Sequence, residues 1–346
     1  MKIVSSTGYG FTGSTAITDL IREYSGVKTC KYSGYELKFF HDTKGILNLY
    51  HYMVNDRTPA AMNDAALDFY KKCSGWAVNG KSMNYELFFD GHFMECTARY
   101  LEGLGGDKFM EVHDLDHLTR MESLVFRIVN KLNAIRHSLT YKEEYGQKHI
   151  RPIPLFADKK RNYLYDVTDE EFVGLTKRYF SELLAAFSDE PVANIHELIP
   201  ISLIDTCCRF FDNIYIITTE RDPRDIYLNA KYRWLTLDHP SEDVVFFCEH
   251  YKWLRSLIPN TEKKEVIKVQ FEDLVYKYDE TVGRIEEFLG LDPSDHVDSR
   301  KFFNPEKASL NCNLVSKYKE EKKNLEYIER ELTDWLFDFD TVGADR

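Results

Sequence analysis

The chain has 346 residues, of which 43% are hydrophobic and 29% are charged, and its formal net charge is −12. This size permits one large domain or two smaller ones around a hydrophobic core. The acidic balance argues against a surface that collects nucleic acid or anionic lipid by bulk electrostatics, so a bound anion requires a local site.

The cysteines and the apolar runs indicate the compartment. Seven cysteines are scattered without a Cys-x-x-Cys pair, which predicts neither a disulfide framework nor a structural zinc site. The first residues lead directly into a glycine loop rather than into the apolar core of a signal peptide, and no apolar run approaches the roughly 20 residues that span a bilayer. We therefore expect a cytoplasmic protein without a transmembrane segment, although its acceptor could be membrane-borne.

The predicted strands and helices alternate along much of the chain. Residues 2–6 predict a buried strand, 7–13 a loop and 14–24 a helix with one apolar face. Further strands of the same sheet are predicted at 35–41, 213–219 and 266–269, each followed by a helical pattern. This alternation predicts an α/β fold with a mainly parallel sheet in a single domain, residues 1–346.

The middle of the chain reads mostly as helix, notably at 61–73, 85–104 and 169–187. We interpret residues from about 55 to 190 as a helical insertion or lid. Within it, 141–162 mixes prolines, aromatic residues and cations without periodicity, which fits either a mobile loop over a site or an ordinary surface connection.

The glycine loop satisfies two motifs at once. Gly8, Gly10 and Gly13 form Gly-x-Gly-x-x-Gly after a strand and before a helix, the dinucleotide fingerprint, with Glu36 at a distance suited to hold a ribose. That interpretation predicts an NAD(P)-dependent oxidoreductase. A glycine turn that merely joins the strand to the helix is the plainest alternative.

The second motif is a phosphate-binding P-loop, Gly8-x-x-x-x-Gly13-Ser14-Thr15, in which Ser14 occupies the lysine position. Backbone N–H groups and the helix dipole favour an anion there, and three hydroxyls add donors. Such a loop suits a phosphate or phosphosulfate better than the γ-phosphate and magnesium of an ATPase. The candidate donor-binding residues in the loop are Gly10, Phe11, Thr12, Gly13, Ser14 and Thr15.

The segment after the central strand distinguishes these interpretations. It runs Glu220-Arg221-Asp222-Pro223-Arg224-Asp225-Ile226-Tyr227-Leu228-Asn229. It resembles the 3′-phosphate-binding segment of the sulfotransferases that use 3′-phosphoadenosine 5′-phosphosulfate (PAPS), in which an arginine and a serine eight residues later hold the phosphate. Arg221 matches the arginine, and Asn229, whose amide also donates hydrogen bonds, stands in place of the serine.

Two later segments extend the resemblance. Residues 266–291 are similar to the family's strand, Glu-Asp-Leu turn and helix, and 303–311 are similar to its late loop near the 3′-phosphate. The resemblance covers about 1–40 and 190–340, and it implies a three-layer, P-loop-like fold, PAPS as donor, adenosine 3′,5′-bisphosphate as product and no metal. Candidate phosphate contacts in the late loop are Lys307, Ser309, Asn311 and Lys317.

The sequence departs from the family's pattern at the position of the cation near the leaving phosphate. The family commonly has a basic residue where Phe11 stands. Substitutes for it are Lys38, Lys44, Arg151, Lys159 and Arg161.

The catalytic base is a further inference from the resemblance. Members that modify glycans or tyrosines use a glutamate shortly after the first helix, which implies Glu36 as the base that accepts the hydroxyl proton, followed by His41 and then Asp42. A surface role for Glu36 stays open. His92 and the pair His196-Glu197 are weaker candidates.

The remaining hypotheses concern a metal, the acceptor and two further functions. His113 and His117 have the spacing of a metal pair, but a polar helix start gives the same pattern and is the interpretation that we favour. The large aromatic-rich insertion favours a saccharide or lipid-linked saccharide as acceptor, with no nucleic acid partner. A P-loop kinase is disfavoured by the missing lysine, and a carbohydrate-binding relative without catalysis stays open.

Overall fold

The computed structural model of the chain describes residues 1–30, 36–78, 84–110, 118–140, 153, 155, 161–234, 239–259 and 262–343. Its centre is a five-stranded sheet in which each neighbouring pair of strands is parallel. In spatial order the strands are β2 (Val27–Thr29), β5 (Val192–His196), β1 (Lys2–Gly8), β6 (Ile214–Glu220) and β7 (Val266–Gln270). A separate antiparallel pair is formed by β3 (Gly105–Met110) and β4 (Arg161–Tyr165).

Helices fill the connections between the strands. Up to β5 they are α1 (Ser14–Ile21), α2 (Ile46–Tyr50), α3 (Pro59–Val78), α4 (Tyr85–Phe88), α5 (Phe93–Leu104), α6 (Arg120–Thr140) and α7 (Asp169–Phe187). After β5 they are α8 (Ile204–Cys207), α9 (Pro223–Asn229), α10 (Val244–Ser256), α11 (Phe271–Tyr276), α12 (Tyr278–Leu289), α13 (Pro305–Ala308), α14 (Lys322–Glu331) and α15 (Asp340–Gly343). None of the helices in the described ranges combines the length and the apolar character needed to cross a membrane.

The sheet is the middle layer of three because successive side chains of a strand point to opposite faces. Ile3 packs into a core cluster with α3, α5 and α7, whereas the next residue, Val4, packs into a second cluster with α1, α11 and α12. The same alternation separates Ile216 from Ile217 in β6. Both faces of the sheet are therefore buried, which confirms the predicted α/β fold with its parallel sheet.

The strand predicted at 35–41 is wrong. Residues 36 and 37 have no regular structure, 38–41 form turns, and Tyr35 lies outside the described residues. Leu37, Phe39 and Phe40 are all buried, so this segment does not alternate as a half-buried strand does. Instead, Phe39 packs among aromatic rings of the helical region, including Tyr85, whose hydroxyl accepts the Lys38 N–H at 2.7 Å.

Strand β5 belongs to the central sheet, although the sequence patterns did not predict a strand there. It pairs with β1 on one side and β2 on the other, and all five of its residues are buried. The polar Asn194 interrupts its apolar pattern, but the side-chain amide donates to Thr18 O at 2.8 Å and to Thr29 Oγ1 at 2.9 Å. The buried amide thereby fastens β5 to helix α1 and to strand β2.

The predicted helix at 85–104 is in fact two helices. Asp90 and Gly91 adopt positive φ angles of 49° and 80° and break it between α4 and α5. The Glu86 carboxylate then accepts the first N–H groups of α5, from Phe93 at 3.2 Å and Met94 at 2.9 Å. A side chain of one helix therefore caps the start of the next.

A buried carboxylate connects α1 to the segment after α12. Glu23 is fully buried, and its two oxygens accept the N–H groups of Arg300, Phe302 and Phe303 at 2.7–2.9 Å. His296 Nε2 lies 2.8 Å from the same carboxylate. Backbone donors in a chain segment with little regular structure are thus satisfied by one side chain.

Replacing Glu23 with alanine should lower the free energy of unfolding by about 3–5 kcal/mol, because it leaves several buried donors without an acceptor. The measurement is urea unfolding followed by circular dichroism. The matched control is Glu287→Ala, which removes an exposed glutamate from α12 and should change stability by less than about 0.5 kcal/mol. Equal effects of the two changes would contradict this role for Glu23.

Candidate functional site

The candidate site lies at the carboxyl ends of β1 and β6. The chain leaves β1 towards β2 on one side of the sheet, and it leaves β6 towards β7 on the other. Strand order therefore reverses between these two neighbours, and in open α/β sheets this is the crevice in which ligands bind. The glycine loop, residues 8–13, and the Arg221 segment both start there.

The glycine loop has two residues in the left-handed region, Phe11 at φ 68° and Gly13 at φ 99°. A Cβ atom on Gly13 would lie 2.4 Å from the Phe271 ring, and one on Gly8 would lie 2.1 Å from Thr12 Oγ1. Thr12 closes the loop by donating to Tyr9 O at 2.8 Å. Close packing therefore requires glycine at both positions, and at Gly13 the positive φ requires it as well.

The loop carbonyls are held by side chains from elsewhere in the fold. His239 Nε2 donates to Gly10 O at 2.8 Å, and Arg221 Nη1 donates to Phe11 O at 2.9 Å. Directly after the loop, α1 begins at Ser14, so the N–H groups of its first turn have no acceptor within the helix. Fixed carbonyls on one side and helical N–H groups at the other make this loop suitable for a phosphate-type anion.

Arg221 is a cation in contact with the loop and is only 6% exposed. Its Nη2 donates to Asn311 O, so one guanidinium connects the glycine loop to the late loop. The guanidinium also lies over the Phe271 ring, 4.8 Å from the ring centroid. Within the described part of the chain its buried Nε has no hydrogen-bond partner.

Two buried carboxylates hold the segments around Arg221. Asp225 accepts the N–H groups of Asn313 and Leu314, each at 2.8 Å, and Glu272 accepts the N–H of Asp222 at 3.0 Å. Burial raises the pKa of Asp225 to about 6 and that of Glu272 to about 7, and the nearby Arg221 charge opposes both shifts. The cation and the carboxylates form one buried electrostatic unit.

Two more cations meet the same turn of the late loop. Arg233 contacts both the Asn311 side chain and Leu310 O, and Lys317 Nζ donates to Leu310 O at 3.0 Å. Together with Arg221, three positive side chains thus converge on neutral oxygens. This concentration of charge suits a second anion. No motif marks Arg233, which lies in the π-helical turn Ala230–Trp234 after α9, and sequence analysis missed it.

The structure places the other predicted residues of this side as follows. Asn229 is buried, and its Nδ2 donates to Asp225 O at 2.7 Å, so part of its amide stabilises α9. Ser309 Oγ donates to Glu306 O, also within its own turn. Arg224, the second arginine of this segment, pairs with Asp222 at 2.7 Å and with Glu329 at 2.8 Å.

On the β5 side of the loop, His196 lies against the start of α1. Its Nε2 is 3.0 Å from Ser14 Oγ and 3.4 Å from Thr15 Oγ1. Burial lowers the pKa of His196 to about 4, a shift that the Glu36 charge only partly offsets. The imidazole is therefore neutral near pH 7, and it can exchange hydrogen bonds with the loop hydroxyls.

Glu197 follows with a positive φ of 49°. Its carboxylate accepts Thr7 Oγ1 at 2.8 Å and the Gly8 N–H at 3.1 Å, and burial raises its pKa to about 7. His41 is exposed, and its Nε2 donates to Glu197 O at 2.7 Å. The His196-Glu197 pair thus contacts the loop directly, although the sequence marked it as a weaker candidate.

Glu36 is half-buried on this same side and forms an ion pair with Lys38. Burial acts to raise its pKa, but the Lys38 ammonium outweighs burial and holds the pKa below its ordinary value. The charges of both residues reach His196, so they lie near the first turn of α1. Asp42 instead pairs with Lys72 at 2.7 Å.

The substitute cations divide into three groups. Lys38 pairs with Glu36 and lies close enough for its charge to act on His196, whereas Lys44 pairs with Asp68 at 2.9 Å. Arg151, Lys159 and the side chain of Arg161 lie outside the described residues. His113 and His117 lie there too, and within the described ranges no group of three or more potential ligands could hold a metal ion.

Sulfotransferases are among the solved structures that resemble this chain. The sulfotransferase domain of the Synechococcus PCC 7002 olefin synthase is 14% identical, with 90% of this chain and 87% of that one covered and a TM-score of 0.39. A sulfotransferase from Mycobacterium tuberculosis H37Rv is 12% identical, with 90% and 76% covered and a TM-score of 0.29. No family model matches the sequence, and no curated protein matches it significantly. The chemistry of the crevice has therefore to be judged from its own residues.

Replacing Gly13 with alanine should destabilise the chain by about 2–4 kcal/mol, because the new Cβ is strained at φ 99° and collides with Phe271. Thermal unfolding measures this loss. Gly174→Ala is the control, since Gly174 lies within α7 with no heavy atom within 4 Å of an added Cβ, and should stabilise by about 0.5–1 kcal/mol. A neutral Gly13 variant would contradict the described loop conformation.

Proposed function

We propose that this chain transfers a sulfuryl group from PAPS to the hydroxyl of an acceptor. The observation that carries the proposal is the Arg221 guanidinium, which contacts Phe11 O and Asn311 O together. It joins two places suited to anions, the first turn of α1 and the cation group of the late loop. A donor with phosphate-type groups at two separate positions of one nucleotide matches this pair of places.

The residues present fit both ends of such a donor. For the 5′-phosphosulfate we propose the loop residues Gly10, Phe11, Gly13, Ser14 and Thr15 as donors. Thr12, whose N–H and hydroxyl both donate to Tyr9 O, contributes by shaping the loop. For the 3′-phosphate we propose Arg221 and Lys317 with Arg233, since their present partners are neutral oxygens that a phosphate can replace. We keep Asn229 as a contributor through the part of its amide that Asp225 O does not use.

Glu36 is the base that we propose for the acceptor hydroxyl. The hydroxyl proton passes to the Glu36 carboxylate, an oxygen–sulfur bond forms, and the bond from sulfur to the 5′-phosphate oxygen breaks, leaving adenosine 3′,5′-bisphosphate. Lys38 and the first-turn N–H groups stabilise the charge on the leaving phosphate. His41 is the second candidate for the base, and His196 orients Ser14.

The acceptor class that we propose is a saccharide or a lipid-linked saccharide. The aromatic residues of the insertion favour it in the sequence, but several of them, including Phe69, Tyr100 and Phe172, are core residues. The proposed acceptor class therefore depends on Glu36, the base that we propose to accept a proton from an acceptor hydroxyl. All seven cysteines are free thiols, which supports our proposal of a reducing, cytoplasmic environment.

The dinucleotide alternative is not favoured. In the fold that carries that fingerprint, β2 lies beside β1, and an acidic residue about 20 residues beyond the glycines holds the ribose. Here β5 separates β1 from β2. Glu36 lies beyond the end of β2, and its carboxylate is paired with Lys38.

Titration calorimetry with adenosine 3′,5′-bisphosphate should show binding that NAD and ATP do not match. Arg221→Gln should weaken it by at least about 30-fold because it removes a buried charge from the phosphate site. Arg233→Gln tests the same site without touching the buried unit and should cost about tenfold. Arg284→Gln on the exposed face of α12 is the control and should leave the affinity unchanged.

Failure of the bisphosphate to bind the wild-type chain would refute the proposed donor. Equal binding of NAD would instead revive the oxidoreductase interpretation. Binding that survives both arginine substitutions would show that the nucleotide occupies another place.

Glu36→Gln should lower turnover with labelled PAPS by about 100-fold or more while leaving bisphosphate affinity unchanged, since a general base typically contributes that factor. Because Lys38 holds the pKa of Glu36 below its ordinary value, the acid limb of the wild-type rate profile should lie at lower pH than the ordinary titration of a glutamate. Glu287→Gln is the matched control. Unchanged turnover in the Glu36 variant, with loss in His41→Asn, would assign the base to His41.

A further inference from the structure

Helix α6 (Arg120–Thr140) carries an exposed apolar stripe. Its members are spaced alternately by four and three residues, which places them on one face of a helix. Each is at least 43% exposed, and Leu139 reaches 81%. The stripe consists of Met121, Val125, Ile128, Leu132, Ile135 and Leu139, with Leu124 beside it. From Met121 to Leu139 it extends about 27 Å along the helix axis.

The other face of α6 accounts for its attachment to the protein. Phe126 is buried, and Asn130 and His137 are partly buried, so this side packs towards the rest of the chain. Asn130 Oδ1 also accepts the Ile153 N–H at 2.7 Å. The helix is therefore held by one face, whereas its most apolar face points outward. A contiguous exposed apolar surface of this kind is characteristic of an interaction site.

The charge of α6 is opposite to that of the whole chain. Four cations against one acidic residue, Glu122, give the helix a formal charge of +3 in a chain of −12. At 100° per residue, Arg120, Arg127 and Lys131 follow one border of the stripe and Arg136 lies at the other. The apolar face is thus bordered by positive charge on both sides.

We propose that α6 docks on an anionic lipid surface, with its stripe in the boundary between headgroups and acyl chains. A helix of this type lies in the plane of the membrane, inserts its apolar side chains and extends its Lys and Arg side chains to anionic headgroups. Bulk electrostatics cannot attract an acidic chain to such a surface. A local group of cations can, because screening limits the reach of the other charges to about a Debye length.

A second copy of the chain fits the stripe less well. Two stripes facing each other would bring the cations along their borders together, with only Glu122 on each helix to compensate them. The straight run of exposed aliphatic residues also lacks the polar positions that specify a protein partner. Charge complementarity therefore selects an anionic surface over self-association.

The test is flotation of the full chain with vesicles of phosphatidylcholine, alone or mixed with phosphatidylglycerol. The wild type should float with the mixed vesicles, and binding should weaken as salt rises. Leu132→Gln with Leu139→Gln should reduce the bound fraction at least about tenfold. Arg127→Glu with Lys131→Glu should reduce binding to mixed vesicles by a similar factor.

Each variant has a control with matched exposure. Leu87→Gln with Val297→Gln removes two apolar side chains that are 80% and 66% exposed elsewhere, and Lys264→Glu with Lys322→Glu makes the same charge change away from α6. Both controls should float like the wild type. Unfolding curves establish that each variant is folded, and Leu139→Gln alone serves if the double variant is unstable.

Several results would overturn the proposal. Absence of wild-type flotation is one, and undiminished flotation of the stripe variant is another. A dimer in light scattering that Leu132→Gln with Leu139→Gln dissociates, without vesicle binding, would assign the stripe to a second copy. These outcomes are independent of nucleotide binding, so the proposed sulfuryl transfer can stand or fall separately.

Discussion

The buried guanidinium of Arg221 is the interaction on which the site depends. It connects the glycine loop to the late loop, segments that lie 210 and 90 residues from it in the chain. A buried cation is costly unless it is paired, and here the carboxylates of Asp225 and Glu272 and the ring of Phe271 surround it. Those carboxylates in turn accept backbone N–H groups of the flanking segments. The same two carboxylates therefore compensate the Arg221 charge and fix the backbone of the flanking segments.

Across the glycine loop the electrostatics change sign. Arg221, Arg233 and Lys317 lie on the β6 side, whereas the carboxylates of Glu36 and Glu197 lie on the β5 side. The anionic nucleotide and the acceptor hydroxyl that we propose make opposite electrostatic demands, and the loop separates the two regions. The neutral His196 between them exchanges hydrogen bonds with Ser14 without adding charge. This polarity supports a transfer reaction better than simple anion storage.

The parts of the fold that could be predicted are those with a local signature. Strands β1 and β6, helix α7 and the glycine loop have apolar runs, caps or glycine spacing in consecutive residues. Helix α7 even has the expected bounds, because Thr168 and Glu171 form a capping box at its start. The family resemblance added Arg221. No local sequence pattern indicates that this residue lies next to the glycine loop.

The parts that could not be predicted depend on contacts between distant segments. Strand β5 was not predicted because the polar Asn194 interrupts its apolar pattern. Asn194 is tolerated inside the sheet because its amide donates hydrogen bonds to Thr18 and Thr29. Segment 36–41 looked like a strand because its aromatic residues are strand formers, yet they fill the core beside helices instead. Arg233 belongs to the site through a π-helical turn, which composition does not reveal. Glu197 was only a weaker candidate in the sequence, because its approach to the loop depends on a positive φ that no local pattern predicts.

The place of β5 between β1 and β2 also has a consequence for biosynthesis. β1 ends at Gly8, but its partner on that side begins only at Val192. While the chain emerges from the ribosome, one hydrogen-bonding edge of β1 stays without its native neighbour until more than half of the protein has been made. An unpaired edge invites pairing with other chains. Folding of this protein is therefore exposed to aggregation during translation, and protection by a chaperone in that interval is the expected remedy.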